Sequence, residues 1–588
     1  MKKYLIILFL SNALFSQTNL QKTWSTYYLT NRSDVGSSII DSSGNIIVCG
    51  TVSIKEDLSF YTQFTTSGCN QNTPYGGNSE GFIAKFSPLG NLIWSTYFGG
   101  ESDDGCAKII IDSNNDIYVS GVTQSFSNIS TAGAYMSNVT SMFTSTSFLT
   151  KFSSSGNLIW STYIPGSVFC TKLINGNQIY LAGYTFNPNN GLATIGSYKE
   201  NADLYNEGVV SNCNGFFMKF DLQGNRIYGT YLGKCTISSF DTDSNNNVYF
   251  SGGLIYGNQT NSFTTTNLCH QPNFGGGSSD SFIMKFDSNV TNKIWSTFLG
   301  GNAQDNINSI LIIDDFIYSY GFTFSSDNIS TYGSFQTNIT NLNKSDGCLA
   351  KFNLDGTRIW GTYFGGTDTD KIGNVVFNSG KLYLFGSTKS LDNIATSGSY
   401  QENYSDIYYN SFLLTNSFFA EFNIDGARNW SSYLNGVSIK SLIFSDFNGF
   451  YLSGSTANST GISTPNSLQP NLNIGATTQA GTLPYNMFLS KFEFAPLSTS
   501  TFSASALQLV PNPNKGIFSL KGEVVANTNL KLIFYDALGR VAAQKDLDNL
   551  SNKLDQTINL ESQVAAGVYL VKLFNDDALI QNFKIIIQ

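Results

Sequence analysis

Short apolar runs of strand length recur along most of the chain, separated by stretches crowded with Gly, Asn, Ser and Thr. Between Cys106 and Ile164 they read "CAKIIID", "DIYVSGVT", "SFLTKF" and "NLIWSTYI". Each is rich in β-branched and aromatic residues and bounded by turn residues such as "SNN" and "SSSG", which predicts strands. In the last run Leu158, Trp160 and Thr162 share one face while Ile159, Ser161 and Tyr163 share the other, as a two-residue period requires. The same four-run unit returns around Trp24, Trp94, Trp160, Tyr228, Trp295, Trp360 and Trp430, at spacings of 65 to 70 residues. Four antiparallel strands repeated about seven times predict an all-β, seven-bladed β-propeller.

The aromatic run is read as the outermost strand of each blade. Its first copy, at Trp24, has no strands before it, and the last third strand, ending at Phe492, has no aromatic run after it. Pairing the two closes the ring through the N-terminal strand and removes the edges of an open array. A glycine ends the core of every second strand (Gly50, Gly121, Gly183, Gly252, Gly321, Gly386, Gly454), which predicts a bulge or the close approach of a neighbouring blade. A Phe ends every third strand, from Phe86 to Phe492, and is read as core. Four strands and tight turns need roughly 40 residues. The surplus lies between the second and third strands, and this long loop is expected to decorate one face, the first candidate for binding.

The unit "DIYVSGVT…NISTAGAYMSN…SFLTKFSSSGNLIWSTY" resembles the bacterial β-propeller repeat known as the SBBP repeat, over roughly residues 20–495. The resemblance implies an exported or surface-associated propeller and no single activity. After a Ser/Thr/Ala-rich stretch the pattern changes to "LQLVPNPNKGIFSLKG", "LKLIFYDALGRVAAQ", "INLESQVAAGVYLVKLF" and "FKIIIQ". This part resembles the type A C-terminal sorting domain of the Bacteroidetes type IX secretion system. Pro511, Asn512, Pro513, Gly516, Asp536, Gly539, Arg540, Gly567, Tyr569 and Lys584 carry the match. It implies a small β-sandwich handled by the secretion machinery at the outer membrane. The expected organisation is a signal peptide at 1–16, the propeller at 17–496, a linker at 497–506 and the sorting domain at 507–588.

Charged residues are only 12% of the chain and aromatics 14%, the balance of a turn-rich β protein and not of a disordered one. With a net charge of −9 and 32 scattered Lys and Arg there is no dense basic face, which excludes nucleic acid as a partner. The N-terminus "MKKYLIILFLSNALFSQ" reads as a secretory signal, with Lys2 and Lys3 before an apolar run and cleavage after Ser16. No later run is long and apolar enough for a transmembrane helix. In an exported chain the eight cysteines are able to form disulfides, in pairings the spacing leaves open. There is no CxxC and only one histidine, His270, so a structural zinc site is not expected.

Candidate chemistry is sparse. Asp34, Asp104, Asp305 and Asp370 each stand ten residues after the repeat aromatic, at the entry to an inner strand. Together they form a partial ring able to hold a cation such as calcium. The competing and preferred reading is that each accepts backbone N–H bonds in its own turn; otherwise no cofactor is expected. Cys106, Cys170 and Cys235 are read as packing residues at matching inner-strand positions. "DSSGN", "DSNND" and "DTDSNNN" lack a full calcium loop and fall where hairpin turns are needed. A sialidase needs converging arginines, and Arg226, Arg358 and Arg428 fall in equivalent turns of different blades. His270 is read as an exposed loop residue with no GxSxG elbow to serve. The expected function is a secreted or cell-surface module for non-catalytic binding or adhesion, with a polysaccharide or a surface protein as ligand. The alternatives are a polysaccharide-active lyase or hydrolase and a structural surface protein.

Overall fold

A computed structural model describes residues 20–494 and 507–588, apart from 30–31, 55–57, 140–145, 187–190, 204–212, 255–264, 267–268, 410–411, 415, 446–448, 474–483, 524–529, 537–539, 548–552, 562 and 576–577. The chain divides into two compact units, Met1–Ala495 and Pro496–Gln588. The expected signal peptide and linker lie outside the described residues.

Apart from one 3-10 turn at Leu58–Phe64, every named element of the first unit is a strand. Seven antiparallel sheets of four strands follow one another. The first runs Ser33–Ile40, Ile46–Ser53, Ser79–Phe86 and Leu92–Phe98, and the next five repeat that order over residues 104–164, 167–233, 236–299, 305–364 and 370–434. The seventh is built from Ser438–Phe444, Gly449–Thr456 and Asn486–Phe494, with Leu20–Tyr28 at its edge. There Trp24 faces Lys491 and Tyr28 faces Met487.

Apolar faces of successive sheets pack on one another. Ile47, Cys49 and Ile83 meet Ile109, Ile117 and Phe148 between the first and second sheets. Tyr451, Met487 and Leu489 of the seventh sheet meet Val48, Phe82 and Phe86 of the first, and Ser38 Oγ lies 3.0 Å from Ser453 Oγ across that same seam.

The repeated aromatic is a staple between sheets. Trp24 Nε1 donates to Pro88 O at 3.0 Å, Trp94 to Ser154 O at 3.2 Å, Trp160 to Leu222 O at 3.1 Å and Trp295 to Leu354 O at 3.0 Å. Each acceptor lies in the last hairpin turn of the following sheet. Tyr228 keeps the donor, its hydroxyl reaching Val290 O at 2.8 Å. The turn glycine packs on the same ring. At Gly90, with φ +82°, an added Cβ would fall 2.8 Å from Trp24, and the positive φ already favours glycine there. Two sheets depart from the rule: Trp360 Nε1 of the fifth is buried without a hydrogen-bond partner among the described residues, and the sixth departs because the seventh has no turn between its last two strands. Trp430 Nε1 turns back to Glu421 Oε2 of its own sheet.

The strand glycines answer to bulges. A Cβ at any of the seven would lie 1.8–2.1 Å from an inner-strand carbonyl of its own sheet. That carbonyl sits beside the register shift, as at Val35/Ser37 and Cys106/Lys108.

The long loop does more than decorate a face. In every sheet part of it runs beside the outermost strand, as in Thr131 N to Ser161 O at 2.9 Å and Tyr163 N to Met136 O at 3.1 Å. Thr331 to Gly361 and Thr464 to Ser25 repeat the contact. The surplus residues therefore cover edges that would otherwise offer unpaired N–H and C=O groups.

The second unit is two facing sheets. Gln508–Val510, Ile517–Glu523 and Lys553–Asn559 form one, and Leu530–Tyr535, Val541–Leu547, Gly567–Asn575 and Ala578–Ile587 form the other. Leu509, Phe518, Leu520 and Ile558 pack against Leu532, Phe534, Val571 and Ile585, giving a small β-sandwich.

Candidate functional site

The four ring aspartates do not come together. Asp104, Asp305 and Asp370 are buried, each on a different seam between sheets. Asp104 Oδ2 accepts Gly100 N at 2.6 Å and Ser125 Oγ at 2.8 Å. Gly301 and Ser325 serve Asp305 in the same way, as do Gly366 and Ser390 for Asp370. Asp34 is out of phase. Cys106 faces Gly121 and Val35 faces Gly50, so the residue matching Asp104 is Ser33. One step along the pleat turns a side chain to the other face, and Asp34 is exposed, 3.1 Å from Lys440 Nζ. Among the described residues no group of three or more His, Cys, Asp or Glu is placed to hold a metal ion.

Each buried aspartate instead faces an acid of the preceding sheet that sequence reading passed over: Glu80, Asp280 and Asp346. A Cβ on Gly300 would lie 2.7 Å from both Asp280 Oδ1 and Asp305 Oδ2, and one on Gly365 would lie 2.7 Å from Asp346 Oδ1 and 2.8 Å from Asp370 Oδ2. A Cβ on Gly99 would meet Glu80 and Asp104 in the same manner. The acids occur only as pairs. Where the first place holds Thr146, Asn214, Asn416 or Asn486, the facing place has no acid. The signal was available in the sequence, since a Gly-Gly follows the outer strand in these three units alone. Asp280 Oδ1 and Asp346 Oδ1 are buried without a hydrogen-bond partner.

Burial pushes Glu80 up to about 9, with the Asp104 charge adding to it, and pushes Asp280 and Asp346 up to about 7. These folded values stand above those of the unfolded chain, so the folded state holds protons that the unfolded chain has released. The contribution is complete at about pH 4 and is lost as pH climbs toward 9. The thermal midpoint of the full chain should therefore fall between pH 5 and pH 9. A D280N/D346N variant, which copies the amides at Asn416 and Asn486, should hold its midpoint roughly 5 °C above the parent at pH 8.5 and match it at pH 5. Parallel pH profiles for parent and variant would refute this assignment.

Other expected sites resolve into structure. Asp41, Asp112 and Asp243 accept backbone N–H bonds at 2.9–3.0 Å within their own hairpin turns. Cys106, Cys170 and Cys235 are thiols at three different register positions, since Cys106 pairs with Gly121, Cys170 with Ala182, and Cys235 precedes its strand. Arg226, Arg358 and Arg428 each donate to long-loop carbonyls of their own sheet. His270 is half-buried and not exposed, its ring edge-on to Phe352 at 5.5 Å, and burial with the Arg358 charge pushes it down to about 4.

One cavity in the first unit combines apolar walls with amides. It measures about 230 Å³ and lies between the sixth and seventh sheets, lined by Lys22, Tyr400, Gln401, Asn435, Asn458, Phe488 and Phe492 among others. A second, of about 560 Å³, is lined by Thr51, Asp103, Asp104, Thr123, Gln124 and Ser167.

In the second unit Asn512 ties the first loop to the last strand, with Nδ2 donating to Lys584 O at 2.6 Å and Oδ1 accepting Ile586 N at 2.8 Å. Pro511 and Pro513 flank it. Gly516, at φ +90°, lies where a Cβ would meet Glu561 at 2.9 Å. Asp536 closes a hairpin by accepting Arg540 N at 2.9 Å and Nε at 2.8 Å. Tyr569 Oη reaches Ala565 O at 2.8 Å just after Gly567 opens its strand, and Gly539 lies outside the described residues. Residues 508–588 match the family described as the secretion system C-terminal sorting domain. The second unit is a secretion sorting domain.

This sorting domain marks the chain for export to the cell surface or the extracellular space through the type IX secretion system. No helix among the described residues is long and apolar enough to cross a membrane. Residues 93–129 match a beta-propeller repeat. An uncharacterised WD repeat-containing protein of Acanthamoeba polyphaga mimivirus is 28% identical over 174 residues, a match spanning 28% of this chain and 12% of that protein. Among solved structures, the phage phi92 endosialidase aligns over 97% of this chain and 87% of its own, with 11% identity and a TM-score of 0.35. An ulvan lyase of a polysaccharide lyase family aligns over 68% and 77%, with 8% identity and a TM-score of 0.31. At these scores neither likeness bears on what this chain does.

Proposed function

We propose that the sorting domain exports a seven-bladed β-propeller, closed by its N-terminal strand, that acts as a non-catalytic binding module for carbohydrate. The ring reading is supported by the succession of seven four-stranded sheets and by the seam that packs the seventh on the first. The binding reading is carried by one observation, the cavity between the sixth and seventh sheets. Tyr400 and Phe492 supply an apolar wall of the kind that stacks on a sugar ring, and Gln401, Asn435 and Asn458 supply amides for its hydroxyls. The volume suits one sugar unit, held at a chain end or branch.

The test is retention of the full chain on immobilised polysaccharides, with soluble reducing sugar followed in the same tubes. Retention without release is expected. Tyr400→Ala should weaken retention roughly tenfold, about 1.4 kcal/mol, while Asn458→Ala separates loss of binding from loss of the Tyr400–Phe492 contact. Release of sugar would make the chain a polysaccharide-active enzyme. No retention on any polysaccharide would leave a protein ligand or a structural surface role.

A further inference from the structure

The long loop of one sheet repeatedly lays an aromatic ring edge-on to the Phe that ends the third strand of the next. Tyr135 meets Phe220 at 5.5 Å, Phe335 meets Phe422 at 5.6 Å and Tyr400 meets Phe492 at 5.4 Å. At the first two seams the loop aromatic also carries an arginine from the outer strand of the next sheet, two residues before the repeat aromatic. The Arg226 guanidinium sits 4.8 Å over Tyr135, and that of Arg428 4.6 Å over Phe335. Each arginine donates besides to loop carbonyls, Arg226 to Leu192 O at 2.9 Å and Arg428 to Asn393 O at 3.0 Å. A guanidinium does both at once because it is a flat plate with several N–H groups.

At the seam between the sixth and seventh sheets the corresponding residue, two before Trp24, is Lys22. Its ammonium caps the loop in the same way, donating to Gly461 O at 2.5 Å and Ile462 O at 2.8 Å. A lysine has no plate to lay on the ring, and among the described residues no cation stacks on Tyr400. The cavity lies where the plate would have been. Lys22 is half-buried, burial lowers its pKa, and among the described residues it forms no ion pair. An ammonium has three donors, and two are used by the loop. Gln401 Nε2 and Asn458 Nδ2 also make no hydrogen bond among the described residues, while Gln401 Oε1 is already taken by Asn435 N at 2.8 Å. The free polar groups from these three residues are therefore donors, which suits a ligand rich in acceptors.

Resting on the carbohydrate reading above, we infer that this cavity takes a carboxylate-bearing sugar of the uronic acid type. Lys22 pairs with the carboxylate, and Tyr400 stands against the ring. The lysine has two consequences at this seam: it leaves the Tyr400 face open, and it keeps beside that face a cation with no ion pair among the described residues.

The experiment compares the full chain on immobilised polygalacturonate and on neutral galactan, at fixed pH and salt. The parent should be retained at least tenfold better on polygalacturonate. Lys22→Met should bring the two matrices level by weakening polygalacturonate alone. Lys22→Arg keeps the charge but supplies the plate found at Arg226 and Arg428, so it should abolish retention on both while the thermal midpoint holds. Equal retention of the parent on both matrices, or polygalacturonate retention unmoved by Lys22→Met at an unchanged midpoint, would overturn the acidic-sugar inference and leave the carbohydrate reading standing. Absence of the parent from every polysaccharide tested would sink both.

Discussion

A chain lacking residues 508–588 should remain inside the cell envelope, with its amount at the surface and in the medium cut by well over tenfold. The sorting domain is a separate compact unit with its own core of Leu520, Leu532, Phe534 and Val571. What is lost is the folded surface that Asn512, Gly516 and the Asp536–Arg540 hairpin shape. The measurement is quantitative immunodetection of the truncated and full chains in envelope, surface and medium fractions. The thermal midpoint of the truncated chain separates failed export from failed folding. A truncated chain that folds and still reaches the surface in parental amount would remove the domain from the export pathway. A finer version is Asn512→Ala, which cuts the tie between the first loop and the last strand at two hydrogen bonds. It should lower export in proportion to the loss of sandwich stability.

The second large effect is expected at the other end. Removing residues 20–28 takes away the outer strand of the seventh sheet and exposes the Asn486–Phe494 edge. Tyr27 and Tyr28, 0% and 4% exposed, leave the cores on either side of that sheet. The long loop loses its anchors as well, since Thr464 N bonds Ser25 O at 2.9 Å and Tyr27 N bonds Gln469 O at 3.2 Å. Trp24 no longer reaches Pro88 of the first sheet. In the proposed ring every sheet leans on two neighbours, so this damage spreads in both directions. The expected result is loss of the cooperative thermal transition, with dye binding typical of exposed apolar surface. Tyr28→Ala is the graded form and should cost about 3–5 kcal/mol in denaturant unfolding. A deletion variant with the parental midpoint would contradict closure by this strand.

Much of the fold was legible because its signals are local. Two-residue alternation, turn residues and a recurring aromatic place each strand without reference to distant parts of the chain. The Trp24 strand was matched to its partner by counting, since one end of the repeat lacked a strand and the other had one to spare. The same counting failed for Asp34. The connection from Trp24 is one residue shorter than the one from Trp94, so equal spacing put Asp34 where the register puts Ser33. Glu80, Asp280 and Asp346 were missed for a related reason. Each lies in a different sheet from the aspartate it faces; the Gly-Gly after the outer strand marks the three units in the sequence, and the stacked sheets show what it marks.

The sequence by itself determined the strands, their grouping in fours, the repeat length and the sorting domain, because periodicity and turn chemistry act over a few residues. Tertiary structure alone decided the path of the long loops along the outer edges, the carboxylate pairs buried at three seams, and the hollow between the sixth and seventh sheets. Lys22 and Tyr400 stand hundreds of residues apart, and no local pattern announces that one replaces an arginine plate above the other. That cavity follows from how the seventh sheet borrows its last strand from the start of the chain.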